Sequence, residues 1–161
     1  MSHAPLRRLA YCSPVNPVES GISDYTEELL PYLGQYADIT VFVERGLMPV
    51  NPHLQQHLAF HALDDLPRLH QRQPFDALIY HLGNSPAHGT IYELSGRLPG
   101  VVVLHEWVLH HLKLWYAAER RKDIGAYLRE VENSDREMKK QFAELATLTS
   151  EFRPPTIPFG F

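Results

Sequence analysis

With 161 residues and a mass of 18.5 kDa, the chain is sized for one ordinary domain. Hydrophobic residues make up 44% and charged ones 21%, the balance of a soluble globular protein, and a net charge of -4 offers no general attraction to nucleic acid or anionic membrane. One cysteine, Cys12, excludes an intramolecular disulfide and fits a reducing compartment. No apolar run approaches the roughly 18 residues of a membrane span, and the stretch after Met1–Arg8 is too short and polar for a secretory signal. The expectation is a cytoplasmic domain with no transmembrane segment. Arg7–Arg8 and Arg120–Arg121–Lys122 read as solvated surface.

Short apolar runs alternate with helix-period segments, the pattern of a parallel α/β sheet. Leu9–Cys12 is the first expected strand, with Cys12 as a small core residue, ended by the proline-rich loop Ser13–Pro17. Ile22, Tyr25, Leu29 and Leu33 recur at helical spacing on one face. Ser20 and Ser23 can cap that helix, Asp24 suits its positive end, and Pro31 predicts a kink or an early stop. Ile39–Val43 is β-branched and nearly continuous, as a buried strand should be. The segment Glu44–Pro74 is hardest to read; it predicts a short strand near Leu58–Phe60 and a short helix around Leu63–Gln71.

Ala77–His81 is the next expected strand, Ala87–Leu98 a helix, and Val101–His105 the clearest strand of the chain. Beyond it Trp107–Glu119 reads as helix. A longer amphipathic helix carries Ile124, Tyr127, Leu128, Val131, Met138, Phe142 and Leu145 on one stripe. Residues 1–150 thus form one Rossmann-like domain, and 151–161, with three prolines, reads as a linker or a truncated end. No repeat or low-complexity tract appears.

Ligands of open α/β sheets bind outside the carboxyl ends of the strands, and three features fall there. Ser13–Asp24 leads through Ser20–Gly21 into a helix N-terminus, where a bare backbone and unpaired N–H groups favour an anion or a sugar hydroxyl. The same residues also suit a tight turn, and neither G-x-G-x-x-G nor a P-loop is present. His81-Leu82-Gly83-Asn84-Ser85-Pro86 repeats the strand, glycine loop, helix order. Asn84 and Ser85 are candidates for ligand contact or for capping the next helix, capping being the first role for Ser85. His88 reads as a surface or capping histidine. The third feature is His105–Glu106–Trp107, with His110 and His111 downstream. A polar residue ending so apolar a strand faces the crevice, where it can donate to a ligand or shuttle a proton.

The run from His105 to His111 resembles the H-E-x-x-H zinc motif, but that motif needs histidines four apart on one helical face. Here the gaps are five and six, His105 sits at a strand end, and the ten histidines are scattered. No metal is expected. G-x-S-x-G is absent, and no Cys–His pair can be argued around Cys12.

Taken in order, Tyr11–Pro14, Pro17–Tyr25, His81–His88 and Val101–Glu106 resemble the N-terminal domain of bacterial retaining GT-B glycosyltransferases of family 4. The resemblance spans roughly residues 8–115. It rests on S-G-I-A-D-Y-type and V-V-L-H-D segments followed by L-H-H, with Ser23 replacing alanine and Glu106 replacing aspartate here. It implies transfer of a hexose from a nucleoside diphosphate sugar, a substrate rather than a cofactor, to an acceptor hydroxyl with retention. His105 then matches the histidine that contacts the transferred sugar, Ser20 and Gly21 approach the donor diphosphate and acceptor, and Asn84, Ser85 and Glu106 line the cleft. The acceptor would be a saccharide, lipid or small molecule. Basic residues and paired glutamates that grip the donor belong to a C-terminal domain, and members usually bind no metal. That domain is the expected missing partner, without which the isolated chain is expected to be inactive. A non-catalytic acceptor-binding or assembly module is the alternative. A flavodoxin-like or nucleotide-binding domain is the weakest reading, since no dinucleotide fingerprint or acidic phosphoacceptor cluster appears.

Overall fold

The β-branched and apolar runs pair edge to edge into one five-stranded sheet. In the computed structural model, which describes residues 7–148, the strands are β1 (Arg7–Cys12), β2 (Ala37–Val43), β3 (Ala59–Ala62), β4 (Ala77–Leu82) and β5 (Val101–Leu104). Their order is β3-β2-β1-β4-β5, and every pairing is parallel. Cys12 lies opposite Phe42 on one side and opposite Tyr80 on the other. The order reverses between β1 and β4, so the crevice of a doubly wound sheet opens at their carboxyl ends.

Alternation along the strands divides the core in two. Tyr11, Ile39 and Val41 face helices α1 (Gly21–Leu33) and α2 (Pro52–His57) through Leu30 and Leu54. Ala10, Cys12, Phe42 and Tyr80 face α3 (Leu66–Arg72) and α4 (Gly89–Ser95) through Leu66 and Ile91. This is a Rossmann-like three-layer α/β domain. Burial pushes the Cys12 thiol up, so Cys12 is the small core residue its setting suggests and a poor nucleophile at neutral pH.

Several local expectations need correction. The buried face of α1 is Ser23, Thr26 and Leu30, while Tyr25 of the expected face is 43% exposed. Two of the inward residues are hydroxylic and escape a search for apolar periodicity. Pro31 does not stop the helix there; α1 continues to Leu33, and the Gly34 N–H bonds the Leu30 carbonyl at 2.9 Å. So late in a helix, proline removes one hydrogen bond without breaking a following turn.

Helix α2 was not expected. Its signals were local: the Asn51 side chain accepts from the His53 N–H at 3.1 Å, and Pro52 occupies the first turn. Six residues are too few to show a period. Strand β3 lies slightly beyond its expected place. The expected helix from Ala87 begins as a 3-10 turn, Pro86–His88, before α4.

Strand β5 is not buried. It is the edge of the sheet among the described residues, with Val101, Val102 and Leu104 at 58%, 43% and 52% exposure. His105 donates its N–H to the Leu82 carbonyl at 2.9 Å, so by strand alternation Val102 and Leu104 turn their main-chain groups away from β4. The expected helix over Trp107–Glu119 starts only at His110, as α5 (His110–Trp115), and passes into a π turn over Tyr116–Arg121.

The chain divides into two compact units, Met1–Tyr116 and Ala117–Phe161. The second unit holds α6 (Ile124–Leu148), begun by Asp123, whose side chain accepts from the Ala126 N–H at 2.9 Å. Within its expected apolar stripe Tyr127 is buried, whereas Ile124, Leu128, Val131 and Met138 are exposed. The side chains of Phe142 and Leu145, and the segment 151–161, lie outside the described residues. Among the described residues no helix is long and apolar enough to cross a membrane.

Candidate functional site at the carboxyl end of the sheet

The three strand-end features meet. Ser20 caps α1, its hydroxyl accepting from the Ser23 N–H at 3.1 Å, as its residue type suggests. Gly21 follows as the first helical residue, and a Cβ built there meets nothing within 4 Å. The loop before it is fastened by Glu27, which accepts from the Asn16 N–H at 3.0 Å and the Asn51 side chain at 3.3 Å. Asp24 accepts from Asn16 Nδ2 at 3.1 Å. From α1, Ile22 reaches Gly83: a Cβ at Gly83 would overlap Ile22 Cδ1 and lie 2.9 Å from His88 Nε2. A side chain at this position would have to displace both Ile22 and His88, and glycine avoids that.

Three histidines form the centre. His105, just past β5, shares a 2.8 Å hydrogen bond between its Nε2 and Nδ1 of His81. His81, one residue before the end of β4, is almost fully buried, at 2% exposure, its ring 4.5 Å from that of Tyr11. Tyr25 of α1 closes over the pair, its ring 6.0 Å from His81 and 5.2 Å, edge-on, from His105. His88 is also buried, so it is no surface residue; its Nδ1 lies 3.0 Å from the His81 carbonyl. A carbonyl only accepts, so His88 Nδ1 carries the proton.

Burial sets the protonation of this group. It lowers His81 to about 4, with the neighbouring imidazoles adding to the effect, and lowers His88 and His105 in the same direction. The Glu106 carboxylate opposes the shift at His105. Beneath them Ser13 and Thr26 hydroxyls bond at 2.7 Å, and the buried Tyr11 hydroxyl beside them lacks a well-formed partner. Desolvation raises Tyr11 to about 12.

Asn84 is brought into the site but spends its side-chain oxygen on structure. It accepts from the His111 N–H at 2.7 Å and from Leu112 at 3.1 Å, capping α5 rather than the helix that follows it in sequence. Asn84→Ala should therefore cost about 1 kcal/mol of stability, readable as a lower urea midpoint with an unchanged slope. Ser85 begins the Pro86–His88 turn through its carbonyl, with no side-chain cap bond. Glu106 is exposed and accepts weakly from the Asn84 N–H at 3.4 Å.

A recess of about 220 Å³ lies over Val102, Leu104, His105, Glu106 and Trp107, smaller than the roughly 300–1,000 Å³ of a complete small-molecule site. A larger one, about 700 Å³, opens at the opposite end of the sheet, near Arg8, Asp38 and His53. There the Arg8 guanidinium is already engaged by the carbonyls of Gln73 and Pro74. The carboxyl end combines convergent loops with perturbed histidines, the marks of a functional site in an open α/β sheet. Among the described residues, no three His, Cys, Asp or Glu side chains gather as a metal-ligand set.

Sequence reasoning singled out His105 but missed His81, Tyr25 and the hydroxyl pair. The signal for His81 was an imidazole closing an otherwise apolar strand run, the same signal that singled out His105. Compared with known proteins, the chain matches no family model, no curated protein and no solved structure.

Proposed function

We propose that this chain is the N-terminal, acceptor-side half of a retaining GT-B glycosyltransferase. It would move a hexose from a nucleoside diphosphate sugar to the hydroxyl of a saccharide, lipid or small-molecule acceptor. The observation that carries the reading is the convergence, at the sheet's reversal point, of three of the four segments on which the resemblance rests: Ile22 against Gly83, Tyr25 against His105, and Asn84 against Glu106. With His105 Nε2 committed to His81, the nitrogen left for a sugar hydroxyl is Nδ1. The first N–H groups of α1, beside Gly21, offer donors to the diphosphate or the acceptor. The small recess at His105 suits half a site, the other half coming from a C-terminal donor-binding domain.

The test is hexose transfer by the complete protein, with the anomeric product followed by NMR. His105→Ala should lower turnover at least tenfold, about 1.4 kcal/mol of barrier, while the domain stays folded. Wild-type turnover in that folded variant would remove His105 from the site. Gly21→Val meets no protein atom within 4 Å of its Cβ, so the fold should tolerate it while affinity for donor or acceptor falls. Unchanged affinities in calorimetry would leave Gly21 as a helix-start residue only.

A second reading draws on Trp107, 99% exposed beside the His105 recess. It makes the chain a non-catalytic acceptor-binding or assembly module working with a separate donor-binding chain. Transfer activity that appears only on adding such a chain would favour it.

A further inference from the structure

We infer that His81 is a positioning residue for His105: it fixes the orientation and tautomer of the His105 ring, and so decides whether the open nitrogen donates or accepts. The role of His105 toward a sugar rests on the reading above; the coupling between the two rings does not. A nitrogen–nitrogen hydrogen bond needs one proton, carried by one ring, and a lone pair on the other. His81 Nδ1 and His105 Nε2 stand 2.8 Å apart. A neutral imidazole has one N–H and one bare nitrogen, so the state of His105 Nε2 dictates the opposite state at Nδ1. If His81 donates, His105 offers a cleft-side N–H that suits an acceptor oxygen. If His81 accepts, His105 offers a bare nitrogen that suits a hydroxyl proton.

His81 is built to keep its ring in place. Its exposure is 2%, Tyr11 packs on its ring at 4.5 Å, and Tyr25 lies 6.0 Å away on the α1 side. Its carbonyl is held by His88 Nδ1 at 3.0 Å, and Gly83 leaves His88 the space to do so. His105 has no comparable enclosure, being only half-buried. The rigid ring therefore directs the freer one. The ionisable groups around the pair are Tyr11 from β1, Tyr25 from α1, His88 from the Pro86–His88 turn and Glu106 beside His105.

The experiment uses the 161-residue chain labelled with nitrogen-15. In the wild type at neutral pH, a scalar coupling across the hydrogen bond should link His81 Nδ1 to His105 Nε2, and His105 should show one tautomer. In His81→Phe, which keeps an aromatic ring against Tyr11, His105 should become a tautomer mixture. No coupling in the folded wild type, or an unchanged tautomer in His81→Phe, would overturn the inference. The coupling is read without any variant, so a failure of His81→Phe to fold leaves the test intact. If the coupling is found but the complete protein transfers no hexose, the glycosyltransferase reading fails while the positioning pair stands.

Discussion

Taking the pH from 6.5 down to 4 should destabilise the sheet unit by about 3 kcal/mol through His81 alone. Burial lowers the folded-state value of this histidine from 6.5 to about 4. In that window the unfolded chain therefore takes up a proton that the folded chain refuses. Stability from this source is fully present above the unfolded value, is lost as the pH falls, and changes no further once both states are protonated. His88 and His105 are lowered too and act in the same direction. Urea unfolding at a series of pH values measures the slope, and His81→Gln, which cannot titrate, should flatten it. An equal slope in wild type and variant would show that His81 is protonated in the folded protein.

The second large effect is expected at Gly100, just before β5. A Cβ there would stand 2.6 Å from the Leu78 carbonyl oxygen, 2.7 Å from the Tyr80 ring and 3.0 Å from the Leu78 Cβ. None of these can move cheaply. The Leu78 atoms are a carbonyl oxygen and a Cβ fixed by the main chain of β4, and the Tyr80 hydroxyl is tied to the Leu98 carbonyl at 3.0 Å. Gly100→Ala should cost about 3 kcal/mol, the upper part of the range for overpacking a filled site. It should also shift β5 relative to β4, and with it His105. A denaturation midpoint equal to wild type would mean that the turn before β5 yields freely.

The strands were readable from the amino-acid order because a parallel sheet buried on both faces demands continuous apolar runs, and Ile39–Val43 and Ala77–His81 supply them. Val101–Leu104 has the same composition, so the sequence could not distinguish an edge strand from an interior one; only the pairing order does. Helix α1 was placed correctly, but its inward face was misassigned because Ser23 and Thr26 face inward while Tyr25 leans over the histidines. At the site, His105 was legible from its abrupt polarity after four apolar residues. The Asn84 cap was not, since its partners lie 27 and 28 residues away. His88 was misread for the same reason: its carbonyl partner belongs to the preceding strand and not to its own turn.

The division of the core between the two faces of β1 has a consequence for folding errors. Ala10 and Cys12 are small and point to one layer, while Tyr11, between them, points to the other, and all three are essentially inaccessible. A central strand threaded one residue out of step would have to drive a phenol into the gap that admits only a thiol, and leave a tyrosine-sized void opposite. The steric penalty falls at once on both layers. Mispaired forms of this sheet are thereby removed as near-native competitors.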